Sequence, residues 1–192
     1  MTDPPDLSPT ILVVDDERDL ADLYEVWLSE EYRVRTAYGG EEALDVCDNA
    51  VDVVLLDRRM PDLSGDEVLE RLRDQGNDCQ VVMVTAVDPD FDILGMGFDD
   101  YVTKPVDRTE LHTLVERMVT RREYDAQLRS YYRLVEQSAA LVTEKSEDEL
   151  AASPGFADLE ARIADLEAEM DLAVGDFEEG DFEAAFRDLD DP

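Results

Sequence analysis

Lysine is almost missing from this chain. Of 17 basic residues in 192 only Lys104 and Lys145 are lysine, and the 17 face 51 aspartates and glutamates, for a net charge of −34. That balance argues against binding a phosphate backbone through overall charge and leaves nucleic acid only a local patch to hold. Cysteine is equally scarce. Cys47 and Cys79 have no paired spacing, and the single histidine, His112, is close to neither in sequence. A disulfide framework and a cysteine–histidine metal knuckle are therefore excluded, and a reduced, cytoplasmic setting is expected. No apolar run approaches the roughly 18 residues of a membrane span, and Met1 to Pro9 lacks the cationic and apolar segments of a secretion signal, so no membrane association is expected. What remains is 44% apolar, enough to bury a core in one compact domain of about 100 to 150 residues with an appendage.

Apolar runs alternate with amphipathic stretches. Ile11 to Val14 reads as a strand, ends in Asp15 and Asp16, and leads into Leu20, Leu23, Tyr24, Trp27 and Leu28 at helical spacing. Tyr32 to Tyr38 is a second strand, turned by Gly39-Gly40 into a helix over Glu41 to Val46. Val51 to Leu56, the most apolar run, ends at Asp57; a loop from Met60-Pro61 to Ser64-Gly65 precedes a helix over Asp66 to Arg73. Gln80 to Val84 ends at Thr85, and Asp100 to Thr103 ends at Lys104-Pro105 before a helix starting near Asp107. Phe91 to Phe98 is a weak, glycine-punctuated helix candidate. Strands alternating with helices across residues 10–122 predict a doubly wound α/β domain with a five-stranded parallel sheet. Ligands of such sheets bind beyond the carboxyl ends of the strands, where strand order reverses.

Those ends carry Asp15, Asp16, Asp57, Thr85 and Lys104. Singly, each has a duller account, as a helix cap, a strand terminus or a turn. Jointly they crowd three carboxylates at one rim, which repel one another unless a divalent cation and an ammonium group compensate. All-oxygen donors with positions open to water suit Mg²⁺. An aspartate so placed can take a phosphoryl group as a nucleophile, with Lys104 and the Thr85 hydroxyl contacting phosphoryl oxygens.

Through Val13-Val14-Asp15-Asp16-Glu17, Leu56-Asp57-Arg58-Arg59-Met60-Pro61, Gly65, Val84-Thr85-Ala86 and Lys104-Pro105, the segment from Ile11 to about Arg121 resembles the receiver domain of two-component response regulators, a CheY-like, flavodoxin-like fold. The resemblance implies that Asp57 is the phosphoacceptor, supplied by a sensor histidine kinase. It implies Asp16, Asp57 and the backbone carbonyl of Arg59 as Mg²⁺ ligands, with Asp15 acting through water, and a cis bond before Pro105. Thr85 and Tyr101 would form the switch, the hydroxyl moving toward the phosphoryl group and the aromatic filling the space it leaves. A signalling regulator is implied rather than an enzyme, with self-catalysed phosphotransfer and dephosphorylation alone. His112 reads as a packing or surface residue. Arg58 and Arg59 have no physical account from sequence beyond local charge relief.

Beyond the receiver the helical pattern continues through Leu128, Tyr131, Val135 and Val142 to a break at Ser153-Pro154-Gly155. Phe156, Leu159, Ile163, Leu166 and Met170 then recur three and four apart, the spacing of a heptad seam. This leaves open a hairpin folded on itself or a coiled coil pairing with another subunit. Arg121-Arg122-Glu123-Tyr124-Asp125, Tyr131-Tyr132, Leu141-Val142 and Phe156-Ala157-Asp158-Leu159 resemble the HalX domain of haloarchaeal regulators. Scarce lysine and an acidic surface likewise resemble the proteome of a salt-accumulating halophile, where a screening length of about 3 Å at 1 M salt tames such a charge. The expected organisation is a tail over 1–9, a receiver over 10–122, a HalX-like helical domain over 123–174 and a disordered acidic tail over 175–192.

The expected function is therefore a phosphorelay regulator that switches a C-terminal helical output module in transcriptional or signalling control. Its partners would be a sensor histidine kinase, an unidentified output protein and a second copy meeting through the receiver face or the C-terminal helices. The alternatives are a phosphate shuttle, a DNA-binding transcription factor or a metal-dependent phosphatase. Direct DNA contact is not indicated, since residues 121–192 hold 7 cations against 21 acids. The phosphatase would want an aspartate where Arg59 stands.

Overall fold

The computed structural model describes residues 8–187, with the side chains of Asp92 and of residues 171–187 left out of the description. It divides into two compact units at Arg122 and Glu123. In the first, five parallel strands, β1 (Thr10–Val14), β2 (Arg33–Ala37), β3 (Val53–Leu56), β4 (Gln80–Thr85) and β5 (Asp100–Thr103), lie in the order β2-β1-β3-β4-β5. The order reverses between β1 and β3, so the crevice of this sheet opens past Val14 and Leu56.

Side-chain alternation divides the core in two. Leu12, Val14, Val54, Leu56, Val81 and Met83 point to the face covered by α2 (Gly40–Val46) and α3 (Gly65–Asp74). Their neighbours Ile11, Val13, Val53, Leu55, Val82 and Val84 point to the face covered by α1 (Arg18–Leu28) and the first turns of α4 (Arg108–Glu144). Near-continuous apolar runs are what a strand buried on both faces requires. In α1 the residues that reach the core are Ala21, Tyr24 and Leu28; Leu23, expected on that stripe, is 41% exposed. His112 packs, its Nε2 lying 2.8 Å from the carbonyl of Trp27.

Two expectations are corrected. Between β4 and β5 the helix expected over Phe91 to Phe98 shrinks to one 3-10 turn, Phe91–Ile93. The Asp90 carboxylate caps that turn at Phe91 N, Leu94 already turns extended at ψ 122°, and Gly95 follows at φ +86°, so no second turn forms. The break expected at Ser153-Pro154-Gly155 is present, between Ala151 and Pro154, and a further break precedes it at Lys145-Ser146. There α4 ends at Glu144, and Ser146 opens the short α5 (Glu147–Ala151) with a capping box, its hydroxyl accepting from Glu149 N while the Glu149 carboxylate accepts from Ser146 N. The second correction is that α6 (Pro154–Arg187) carries helical backbone past Gly175 as far as Arg187, where an unstructured tail was expected; residues 188–192, and residues 1–7 of the tail expected over 1–9, lie outside the described residues.

The second unit is antiparallel. Gln127 reaches Glu169 and Tyr131 donates to Glu167, so numbers rise along α4 as they fall along α6. Leu134 and Phe156 are its buried apolar residues among those described. Among the described residues no helix is long and apolar enough to cross a membrane.

Candidate functional site

Asp15 stands one residue past the end of β1, and α1 does not use it as a side-chain cap. Its Oδ1 accepts from Glu17 N at 3.0 Å, which fixes the carboxylate and leaves Oδ2 facing the crevice. Asp57 stands at the same height past β3, held through Asp57 N to the carbonyl of Val14 at 2.9 Å. Carboxylate oxygens of Asp15, Asp16 and Asp57 all lie within 4.8 Å of one another. Lys104, from the end of β5, closes the cluster: its Nζ donates to Asp15 Oδ2 at 2.7 Å and to Asp57 Oδ2 at 3.1 Å. The Lys104–Pro105 bond is cis.

These are deeply placed charges, with Asp15 at 2% and Asp57 at 7% exposure. Burial pushes the Asp15 carboxyl above the usual aspartate range, against the lowering pull of Lys104. Burial also pulls Lys104 down, but Asp15 and Asp57 together outweigh it and hold the ammonium above its ordinary value. One cation for three carboxylates leaves the cluster short of positive charge. An all-oxygen set of this kind fits a hard divalent cation, and these three aspartates could hold one.

The loop after Asp57 returns on itself through a close backbone contact. Gly65, the first residue of α3, donates its N–H to the carbonyl of Arg58 at 2.9 Å, and a Cβ there would sit 2.2 Å from the Asp57 carbonyl oxygen. Ser64 caps α3, exchanging hydrogen bonds with Glu67. Arg59 N donates to Asp57 Oδ1 at 3.3 Å. Sequence gave no role to Arg58. In the structure it is buried and grips Asp66 of α3 with Nε and Nη2, at 3.0 and 3.1 Å, so it ties the acceptor loop to the helix that follows. A basic residue eight positions before an acidic one on a predicted helix was the available signal, too weak to use without the loop's path.

Thr85 is fully buried at the end of β4, its hydroxyl accepting from Val87 N at 3.4 Å. Tyr101, on β5, is half-buried against Phe98, and its hydroxyl donates to the carbonyl of Val87 at 2.6 Å. Both side chains therefore meet the same short segment after β4. A cleft of about 310 Å³ is lined by Asp16 together with Arg18, Tyr38, Gly39 and Pro61 among others.

A five-stranded parallel α/β domain with an acidic cluster and a lysine at its switch point has the CheY-like receiver fold. The chain belongs to the response regulator receiver domain family, whose profile matches residues 11–116, and the HalX domain profile matches residues 120–186. A Haloferax volcanii protein named "Putative transcriptional regulator" is 47% identical over 165 residues, which is 85% of this chain and 28% of that protein. Response regulator SaeR of Staphylococcus aureus is 33% identical over 58% of this chain and 50% of its own length. The chain thus spans half or less of these curated relatives. The crystal structure of response regulator TrrA from Thermotoga maritima, in complex with Mg(2+)-BeF, matches with a TM-score of 0.52 at 36% identity, over 57% of this chain and 98% of that one.

Proposed function

We propose that this chain is the phosphoacceptor of a two-component relay, in which Asp57 takes a phosphoryl group from a sensor histidine kinase and the helical unit beyond Arg122 transmits the result. The observation that supports this most is the shared grip of Lys104 on Asp15 and Asp57 within a three-carboxylate cluster. Asp16, Asp57 and the Arg59 carbonyl would hold Mg²⁺, with Asp15 acting through water. When bound, the ion supplies positive charge that offsets the carboxylates and the phosphoryl oxygens.

The chain's own residues do the rest. An Asp57 oxygen attacks phosphorus while the bond from phosphorus to the donor imidazole nitrogen breaks, and the electron pair leaves with that nitrogen. The Lys104 ammonium then gains a phosphoryl oxygen as a new partner, and the added charge of about −1.5 to −2 biases the segment after β4. In this reading the Thr85 hydroxyl leaves Val87 N for the phosphoryl group, and Tyr101 follows into the vacated space. Dephosphorylation is the same site's reaction with water. The receiver function is assigned to residues 10–122 and the output function to 123–174. We expect incorporation of phosphate from a small acyl phosphate at molar salt to require Mg²⁺ and to stop on chelation. Undiminished labelling in the presence of a chelator would refute the metal's part in it.

For the output unit we propose pairing with a second copy. A two-helix hairpin buries little by itself, and here Val135, Val142 and Ile163 line an open groove of about 440 Å³ between α4 and α6. Light scattering at molar salt is expected to give twice the chain mass for the phosphorylated protein; a monomer in both phosphorylation states would remove this proposal.

A further inference from the structure

Arg58 takes no part in the phosphoryl transfer itself, yet it is one of 17 cations set against 51 acids, and it is buried. Its guanidinium grips both oxygens of Asp66: Nε lies 3.0 and 3.2 Å from Oδ1 and Oδ2, and Nη2 lies 3.1 Å from Oδ2. A planar fork of that kind fixes direction as well as distance. The backbone of the same residue is fastened too, its carbonyl accepting from Gly65 N at 2.9 Å. Arg58 is thus tied twice, to consecutive residues at the start of α3.

The grip on Asp66 is not needed to start that helix. Ser64 and Glu67 already form a capping box, and Asp66 in the first turn suits a helix N-terminus without a partner. A desolvated ion pair is also a weak source of stability. What the pair constrains is the loop on its other side, residues 58–64. Met60 and Leu63 anchor that loop in the core, and Asp62 stands in it at φ +64°. A left-handed residue other than glycine persists where its surroundings fix it. Arg59 lies between the forked Arg58 and the buried Met60 with its own side chain exposed, so its two neighbours set the direction of its carbonyl.

We propose that Arg58 is a positioning residue for the metal site: its fork on Asp66 holds the acceptor loop so that the Arg59 carbonyl is already in place when the cation arrives. The proposal rests on the reading that Asp16, Asp57 and the Arg59 carbonyl hold Mg²⁺. A ligand carried on a loose loop must be ordered at every binding event and a pinned one need not be, so the pin is expressed as affinity. The sign separates this role from plain charge. Removing a cation beside Asp57 should, by Coulomb attraction alone, tighten the binding of a divalent ion, whereas losing the pin loosens it.

The test titrates Mn²⁺ into the full chain in molar KCl, reads the free ion from its electron paramagnetic resonance signal, and then displaces it with Mg²⁺. The site is defined as the binding that Asp16→Asn removes, because 51 acids also hold ions loosely. Arg58→Gln and Arg58→Lys, the second keeping the charge without the fork, should each raise the dissociation constant at that site by about tenfold or more. The half-saturating Mg²⁺ for labelling by an acyl phosphate should rise by the same factor. Asp66→Asn, matched in size at a side chain 40% exposed, should do likewise, and the double variant Arg58→Gln with Asp66→Asn should be no worse than either alone, since both remove one contact. Folded variants that bind within about twofold of the wild type, an Arg58→Gln protein that binds more tightly, or an Arg58→Lys protein that binds as the wild type does would each overturn the proposal. Should the Arg58 variants fail to fold, Asp66→Asn decides. A wild type from which Asp16→Asn removes no binding would overturn the underlying reading of the metal site, and the proposal with it.

Discussion

Asp57→Asn is expected to abolish phosphoryl incorporation from both a phosphorylated histidine kinase and a small acyl phosphate, while leaving the fold intact. The amide keeps one oxygen, for either Arg59 N, now on Oδ1 at 3.3 Å, or Lys104, now on Oδ2 at 3.1 Å, and it is not a nucleophile toward phosphorus. It also removes one of three negative charges whose oxygens lie within 4.8 Å, so repulsion in the metal-free state falls. Unfolding by guanidinium should therefore show a variant as stable as the wild type or about 1 kcal/mol more so. Loss of labelling together with loss of the fold would make the labelling result uninformative, which is why both are measured. Labelling that survives would move the acceptor to another residue.

Gly65→Ala is expected to have the largest effect on stability of any single methyl addition near the site. Alanine at a first helical position would by itself gain up to about 1 kcal/mol over glycine. Here its Cβ would meet the Asp57 carbonyl oxygen at 2.2 Å and the Arg58 Cα at 2.9 Å, both backbone atoms with no rotamer to retreat into. The overpacking cost, about 3 kcal/mol or more, outweighs the propensity gain and consumes a large share of the stability of a domain this size. Because the clash falls on the acceptor's own backbone, the rate of labelling should drop as well, even at temperatures where the variant is folded. A variant with unchanged melting temperature and unchanged labelling would contradict the close approach.

The strand-end residues were legible because β-branched runs in a parallel sheet stop where the chain leaves the core, so the polar residue after each run marks one rim. Asp15, Asp57, Thr85 and Lys104 were found in that way, and the structure sets them at that rim. What the sequence hid depends on partners that pattern alone cannot supply. The grip of Arg58 on Asp66 requires the path of the loop between β3 and α3. The helix expected at Phe91 to Phe98 failed for a local reason: a stretch opening after Pro89 and interrupted at Gly95 and Gly97 caps one turn and cannot propagate it. Arg73, which in the sequence only bounds the helix over Asp66 to Arg73, binds the carbonyls of Asn77, Cys79 and Gly97, partners that lie beyond that helix.

The central claim concerns one acidic cluster and the oxygen within it that accepts phosphorus. A crystal structure of the chain grown with magnesium and beryllofluoride tests it directly. The account predicts beryllium bonded to an Asp57 oxygen, a metal ion held by Asp16, Asp57 and the Arg59 carbonyl, and Lys104 Nζ turned to a fluorine. Well-ordered density showing Asp57 bare and Lys104 still bridging Asp15 and Asp57 would contradict it.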